Sequence, residues 1–523
     1  MIQEIDLRLD PKTAYTPELL RRAAARRLAI APDRLRDAVV FRRSIDARQR
    51  NVVVNVALRC YIDEPAPEHP LANPVEYRQL PADAPQAVIV GAGPAGLFAA
   101  LRLIELGVKP VVLERGKDVD SRRVDLATLC RESAVDPDSN YCFGEGGAGA
   151  YSDGKLYTRS KKRGDVDKIL RIFHQHGAQD EILVDAHPHI GTDRLPEVIK
   201  AIRQTIIACG GEVRFCCRVT GLLLTEGSEN QAVRGVVTAD GSEVLGPVIL
   251  ATGHSARDVY EFLQRAGIRL EPKGIAVGVR LEHPQNLIDC LQYHSRDGRG
   301  LYLPPAEYSL LTRVDGRAVY SFCMCPGGVV VPAASAPGEM VVNGMSPSNR
   351  GTRWSNSGMV VEVLPEDVEG DDPLRMMEYQ HQIERRFFED AGQSLNAPAQ
   401  RMTDFVNSRL STSLPRSSYA PGVHSARIDR LLPREISRRL QQGFRDFNRR
   451  QQGFLSPEAI VLGNETRTSS PVRIPRDRLS MVHVDLPGLY PCGEGAGYAG
   501  GIVSAAIDGE RSAEALASAL QSK

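Results

Sequence analysis

Neither sign of charge prevails in this sequence: 65 Lys plus Arg stand against 65 Asp plus Glu in 523 residues. No large field therefore exists to draw in nucleic acid or an anionic membrane surface. No uninterrupted apolar run approaches membrane-spanning length, and the first residues, Met1-Ile2-Gln3-Glu4-Ile5-Asp6, are acidic where a secretory signal would be basic and then apolar. These absences predict a cytoplasmic protein with no membrane partner. The ten cysteines contain no CxxC pair, which argues against a disulfide scaffold, a zinc site and a thioredoxin-like centre, so no metal is expected. No repeat with a period of 20 to 50 residues is present. What remains is an ordinary globular composition, 42% hydrophobic and 25% charged, long enough for two or three domains.

Residues 1 to about 62 read as a small unit. Ile2 to Leu9 alternates like a strand, Pro17 opens a helix with a basic face, and Val39 to Ile45 and Val52 to Ile62 read as two further strands. Within residues 1–80, 14 Lys or Arg face 11 Asp or Glu, an excess better read as a solvated helix face than as an RNA-binding surface. The stretch from Pro65 to Pro85, rich in Pro, Ala and Glu, has little to bury and reads as a linker.

The next segment carries the strongest chemical signal. Ala87-Val88-Ile89-Val90 is a short buried-strand run that leads into Gly91-Ala92-Gly93-Pro94-Ala95-Gly96 and a helix through Glu105. In such a motif Gly91 permits the tight turn, Gly93 lets backbone approach a pyrophosphate, and Gly96 lets helix pack on strand, while the helix N-terminus faces the phosphates. Pro110-Val111-Val112-Leu113 then forms a second strand ending at Glu114, followed by Arg115. Glu114 lies where a carboxylate accepts hydrogen bonds from the adenosine ribose hydroxyls, and it disfavours a 2′-phosphate. No second GxGxxG follows, so a dedicated NAD(P)H domain is not expected. Thr192-Asp193-Arg194-Leu195 reads as a capped helix start, with the helix running to Cys209.

Two later segments bear on the cofactor. Val248 to Leu250 leads into Ala251-Thr252-Gly253, a turn that resembles the second FAD-contacting strand of glutathione-reductase-like flavoproteins. Gly493-Glu494-Gly495 through Gly500-Gly501-Ile502 resembles their closing FAD motif, with Glu494 one methylene longer than the usual Asp. Glycines at 500 and 501 let the following helix start approach a ring, where its dipole stabilises negative charge. With Asn140-Tyr141-Cys142-Phe143-Gly144-Glu145-Gly146-Gly147-Ala148-Gly149, Val277-Gly278-Val279-Arg280-Leu281-Glu282-His283-Pro284 and Glu465-Thr466-Arg467-Thr468-Ser469-Ser470, nearly the whole chain resembles a bacterial FAD-dependent dehydrogenase family of largely unassigned substrate, related to the aminoacetone-oxidase-like flavoproteins. That resemblance implies FAD as cofactor and a backbone contact to adenine at Val219. It also implies a glycine-rich loop, including Gly146, Gly147 and Gly149, around the pyrophosphate and flavin edge, with Lys155 near the flavin.

The expected fold is α/β: a Rossmann-like FAD domain in three ββα layers, residues 81–270 and 471–523, with an inserted α+β substrate domain, 271–470, and a small N-terminal βαββ domain within 1–80. The expected reaction passes a hydride between flavin N5 and an organic small molecule, with NAD(P)H as a transient visitor. The alternative is a flavin-holding binding or sensor protein. No catalytic residue is fixed by the sequence. Arg280, His283, Arg467 and Arg473 are substrate-anchoring candidates, each weighed against a structural ion pair, Glu282 or a neighbour being the expected partner of Arg280. Cys323 and Cys325, spaced CxC, read either as buried inert cysteines or as a redox pair.

Overall fold

The computed structural model describes residues 1–157, 164–225 and 231–522. At the N-terminus, β1 (Ile2–Leu9), α1 (Pro11–Tyr15), α2 (Pro17–Leu28), β2 (Leu35–Asp46) and β3 (Val53–Ile62) form an antiparallel sheet of order β1-β3-β2 with the helices on one face. Ala24, Leu35, Val54, Leu58 and Cys60 form its own core. β2 starts at Leu35 rather than near Val39, because register breaks at Leu35/Asp37 and Val40/Arg42 scramble the alternation that marks a strand. The unit is docked on the rest of the chain through Arg43 Nε to Asp185 Oδ1 at 2.7 Å and the His294 ring to the Ala47 carbonyl at 2.9 Å.

The stretch expected to be a free linker is a tethered strap. Val75, Tyr77 and Leu80 pack on the next core, and the Val75 and Leu80 amides donate to Gln175 and to the Cys209 carbonyl. Three apolar side chains among the prolines supply the burial that composition alone conceals.

β4 (Gln86–Val90), α3 (Pro94–Glu105), β5 (Lys109–Leu113) and β6 (Glu212–Arg214) open the central unit. β7 (Val219–Leu224), β8 (Val233–Thr238) and β9 (Glu243–Leu245) form an antiparallel sheet, and β10 (Val248–Leu250) returns to the first one. A five-stranded parallel sheet results, ordered Leu489–Pro491, β10, β4, β5, β6. The runs Ala87–Val90 and Val111–Leu113 are continuous because both faces are covered. On one side lie α3 and the helices Leu195–Ala208 and Ile502–Gln521, and on the other the β7-β8-β9 sheet packs Val236 and Val244 against Val88 and Val248. Helix, parallel sheet and antiparallel sheet are thus three layers.

Between Glu271 and Arg473 a seven-stranded mixed sheet runs in the order Leu311–Val314, Arg317–Cys325, Trp354–Val363, Ile275–Pro284, Ile460–Glu465, Ala397–Arg401, Val423–Ser425. The helices Arg375–Asp390 and Arg434–Arg450 pack on it through Met376, Ile383, Leu440 and Phe444. This sheet forms a cap over the C-terminal edge of the parallel strands, where open α/β sheets bind ligands. Among the described residues, no helix is long and apolar enough to cross a membrane.

Candidate functional site

The turn after β4 is built by close approach. A Cβ on Gly91 would stand 2.5 Å from the Ala251 carbonyl oxygen, and one on Gly96 would stand 1.9 Å from the Gly91 oxygen, so helix, turn and neighbouring strand pack with no space for a methyl group. At the end of β5, Glu114 is 5% exposed and accepts three backbone amides: Ala92 at 2.8 Å on one oxygen, Gly116 and Gly144 at 2.9 Å on the other. A carboxylate offers about four acceptor sites. One remains, on a residue that lines a cleft.

The glycine-rich loop is held from behind. The Gly146 amide donates to the Ala92 carbonyl at 2.8 Å, tying loop to turn. Arg122, fully buried, donates to the carbonyls of Asn140, Glu145 and Gly147 at 2.7, 2.8 and 2.9 Å. At the closing motif, Asp508 accepts the Gly493 amide at 2.8 Å and pairs with Arg476 at 2.5 Å.

These parts converge on one cleft of about 370 Å³, in the size range of small-molecule and cofactor sites. It is lined by Gly91, Gly93, Pro94, Ala95, Glu114, Arg115, Gly147, Gly149, Lys155, Val219, Ala251, Thr252, Gly253, Glu494, Gly500, Gly501 and Ile502. Gly96, Gly146 and Gly493 stand behind that wall and position it. The lining leaves room for an extended dinucleotide: a Cβ at Gly253, Gly500 or Gly501 would meet nothing within 4 Å and one at Gly93 only Gly147 Cα at 4.0 Å. Glu114 stands at one end with an acceptor site left over, and the start of the helix Ile502–Gln521 stands at the other.

An uncharacterized protein of Clostridium beijerinckii is 38% identical over 533 residues, spanning 98% of this chain and 97% of that one. Residues 85–123 match an FAD binding domain, and residues 274–468 match the family described as FAD-dependent protein, C-terminal domain-like. The chain belongs to this family of FAD-dependent proteins. FAD is its cofactor, and the cleft walled by Glu114, the 91–96 turn and the 493–502 motif has room for such a group. Residues 1–61 of the flavoprotein match a domain of unknown function. Among solved structures, the flavin-dependent brominase Bmp2 aligns at 13% identity over 84% of this chain and 79% of that one, with a TM-score of 0.38. A geranylgeranyl bacteriochlorophyll reductase-like protein of Thermoplasma acidophilum aligns at 14% over 84% and 79%, with a TM-score of 0.35. Both scores are low, and the cofactor assignment rests on the family matches and the cleft.

The flavoprotein's cap contributes Phe322, Cys323, Asn343, Arg467 and Thr468 to the same cleft. Of the four substrate-anchoring candidates only Arg467 lines it, and that guanidinium is already engaged: it meets Glu339 at 2.6 Å and Glu384 at 2.9 Å, both buried. Arg280 pairs with Glu465 at 3.0 Å, not with Glu282, whose carboxylate accepts the Ser418 amide instead. Arg280 and His283 are three apart on one strand and so point to opposite faces. His283 packs inside the cap, 4.8 Å from the Phe454 ring, with its Nε2 on the Phe454 carbonyl. Arg473 is exposed and lies over Tyr498 at 5.9 Å, outside the cleft wall. Asp193 caps no helix; its carboxylate holds Ser348 of the cap through the amide at 2.6 Å and the hydroxyl at 2.7 Å.

Charge at the ring end is graded. Burial pushes the Glu494 carboxyl up to about 7, although Lys273 pulls the other way. Burial, then Arg467, holds the His254 imidazole down to about 4, so it is neutral at neutral pH. Lys155 lies 3.9 Å from Asp153, and Asp153, Cys323 and Cys325 outweigh the effect of burial to keep it cationic. Asp153 itself pairs with Arg350 at 2.8 Å, which joins the loop to the cap. Arg122, Asp153, Arg350 and Asp508 carry no sequence signal of their own, because each acts on partners remote along the chain.

Proposed function

We propose that this protein is an FAD-dependent oxidoreductase that passes a hydride between the flavin and a small organic substrate admitted between the parallel sheet and the cap. The observation that carries the reading is the single cleft whose wall is shared by the dinucleotide-binding turns and by Phe322, Cys323 and Asn343 of the cap. Glu114 and the 91–96 turn would hold one end of the cofactor and the region of Glu494 the other, beside those cap residues.

Bound FAD supplies two-electron chemistry at its N5 position. The chain's own residues do the rest. Glu114, fixed by three amides, orients the ribose with no rearrangement of its own. The amide-bearing start of the helix Ile502–Gln521 favours negative charge at the adjoining ring edge, and Lys155 adds a cation on the same side. Protonated below pH 7, Glu494 donates a hydrogen bond where an aspartate of ordinary acidity would only accept one.

Arg467 and Arg280 each have buried carboxylate partners, so neither offers an unneutralised charge to a substrate anion. These two arginines are therefore not substrate anchors, and an external acceptor or NAD(P)H visits in turn. Anaerobic mixing of the FAD-loaded protein with NADH, NADPH and a metabolite panel tests it. Bleaching of the flavin by at least one member is expected. A flavin reduced by dithionite and by nothing in the panel would make the protein a flavin-holding sensor.

A further inference from the structure

Two cysteines end the strand Arg317–Cys325 on the cap side of the cleft. In a regular strand, residues two apart are separated by about 6.6 Å, near the upper limit of the Cα separation that a disulfide spans. This strand is not regular. Its pairing with Trp354–Val363 breaks between Phe322 and Cys325, and Cys323 takes a φ of +45°, a costly conformation for a residue other than glycine. The fold-back brings the Cys325 thiol 3.4 Å from the Cys323 carbonyl, so the two residues turn toward each other rather than running on as an extended strand. Cys323 lines the cleft, and Cys325 is fully buried behind it.

The surroundings distinguish the two sulfurs. Arg280 Nη2 lies 2.8 Å from the Cys323 carbonyl and 3.4 Å from Cys325 Sγ, and Lys155 shares the wall. The hydrogen bond from Cys325, then Lys155 and Arg280, favours thiolate at Cys323, while that thiolate and burial keep the proton on Cys325. An accessible thiolate beside cations, backed by a second thiol, is the arrangement of a reactive dithiol.

We propose that Cys323 and Cys325 form a redox-active dithiol that exchanges two electrons with FAD bound in this cleft. In the oxidising direction the S–H bond of Cys325 breaks and an S–S bond forms. Two electrons and the Cys325 proton pass to the oxidised flavin, yielding the reduced anion. Charge is conserved and no other oxidant enters. A ring closed over one intervening residue is strained, which keeps the reverse step accessible. The inference rests on FAD occupying the cleft and not on the identity of any organic substrate.

Anaerobic dithionite titration of the air-oxidised holoprotein tests it. Uptake of about four electrons per flavin is expected for the wild type and about two for Cys323→Ser, since each centre is a two-electron couple. In parallel, denaturing alkylation and digestion at Lys and Arg isolate the peptide Ala318–Arg350, whose only cysteines are these two. That peptide is expected to be lighter by two hydrogens and unalkylated before reduction, and doubly alkylated after it. Should the serine variant fold poorly, this mapping on the wild type still decides. Uptake of about two electrons by the wild type, with both cysteines alkylated from the outset, overturns the dithiol and leaves the oxidoreductase reading standing. A well-folded protein that takes up no FAD removes the basis of both.

Discussion

Glu114 and Glu494 mark the two ends of the cofactor cleft, and their environments give them opposite behaviour. Replacing Glu114 by Ala leaves three inward-pointing amides without their acceptor and removes the ribose contact. A buried unsatisfied donor costs about 1–3 kcal/mol, so FAD affinity is expected to fall by about tenfold or more in an equilibrium titration. Retention of FAD at wild-type affinity would sink the ribose assignment. Glu494 titrates near 7 in the folded protein against an ordinary 4.5. Its folded-state value is raised, so the stability tied to its proton is complete below about 4.5 and is lost as pH climbs through 7. In FAD-free protein, Glu494→Gln is therefore expected to gain on the wild type between pH 5 and pH 8, by on the order of 2 kcal/mol. Parallel melting curves across that range would show that the carboxyl is already ionised.

The turn, the glycine-rich loop and the cap strands differ in how much of them the sequence displays. Gly91, Gly93, Gly96 and Glu114 act within one β-α-β stretch, so their spacing is itself the signal. Gly96→Ala places a methyl group 1.9 Å from the Gly91 oxygen. It is expected to cost about 1–3 kcal/mol and to weaken FAD binding with it, because α3 must lift off the turn. A variant with unchanged melting temperature and FAD affinity would contradict the packing. Arg122 was not legible, because its acceptors are carbonyls on a later loop and backbone atoms leave no trace in residue type. Thr192-Asp193-Arg194-Leu195 read as a capped helix start for a related reason: the helix does begin at Leu195, but no side chain caps it, and Ser348, far along the chain, takes the Asp193 carboxylate. The break after Phe322 likewise hides inside an apolar strand pattern, and with it the relation between Cys323 and Cys325.

Across the whole molecule, parallel sheet and cap are joined by buried charge. Arg257 opens the helix Arg257–Arg265 of the flavin-binding part, while Glu339, Glu384 and Arg467 belong to the cap; Arg257 Nη2 meets Glu384 at 2.8 Å and Arg257 also contacts Glu339. Glu384→Gln leaves one buried and one half-buried guanidinium group sharing one carboxylate, and breaking such a network costs up to about 3–5 kcal/mol. Urea unfolding is expected to shift accordingly, with the cap and the flavin environment lost together. Two well-separated transitions, with flavin release unaffected, would show that the network does not couple the parts. The three layers and the cofactor were readable from local motifs, whereas this joint was not, because its four charged residues are scattered from 257 to 467 and nothing in their immediate sequence pairs them. The strand Leu489–Pro491 closes one edge of a sheet whose middle strand is Gln86–Val90. During synthesis, then, the early glycine turn must wait, its cradle half-built and the edge of β10 unsatisfied, until the tail emerges from the ribosome. Cofactor loading is thereby made a late event, and a polypeptide stalled before that last strand would be colourless and a natural client for chaperones.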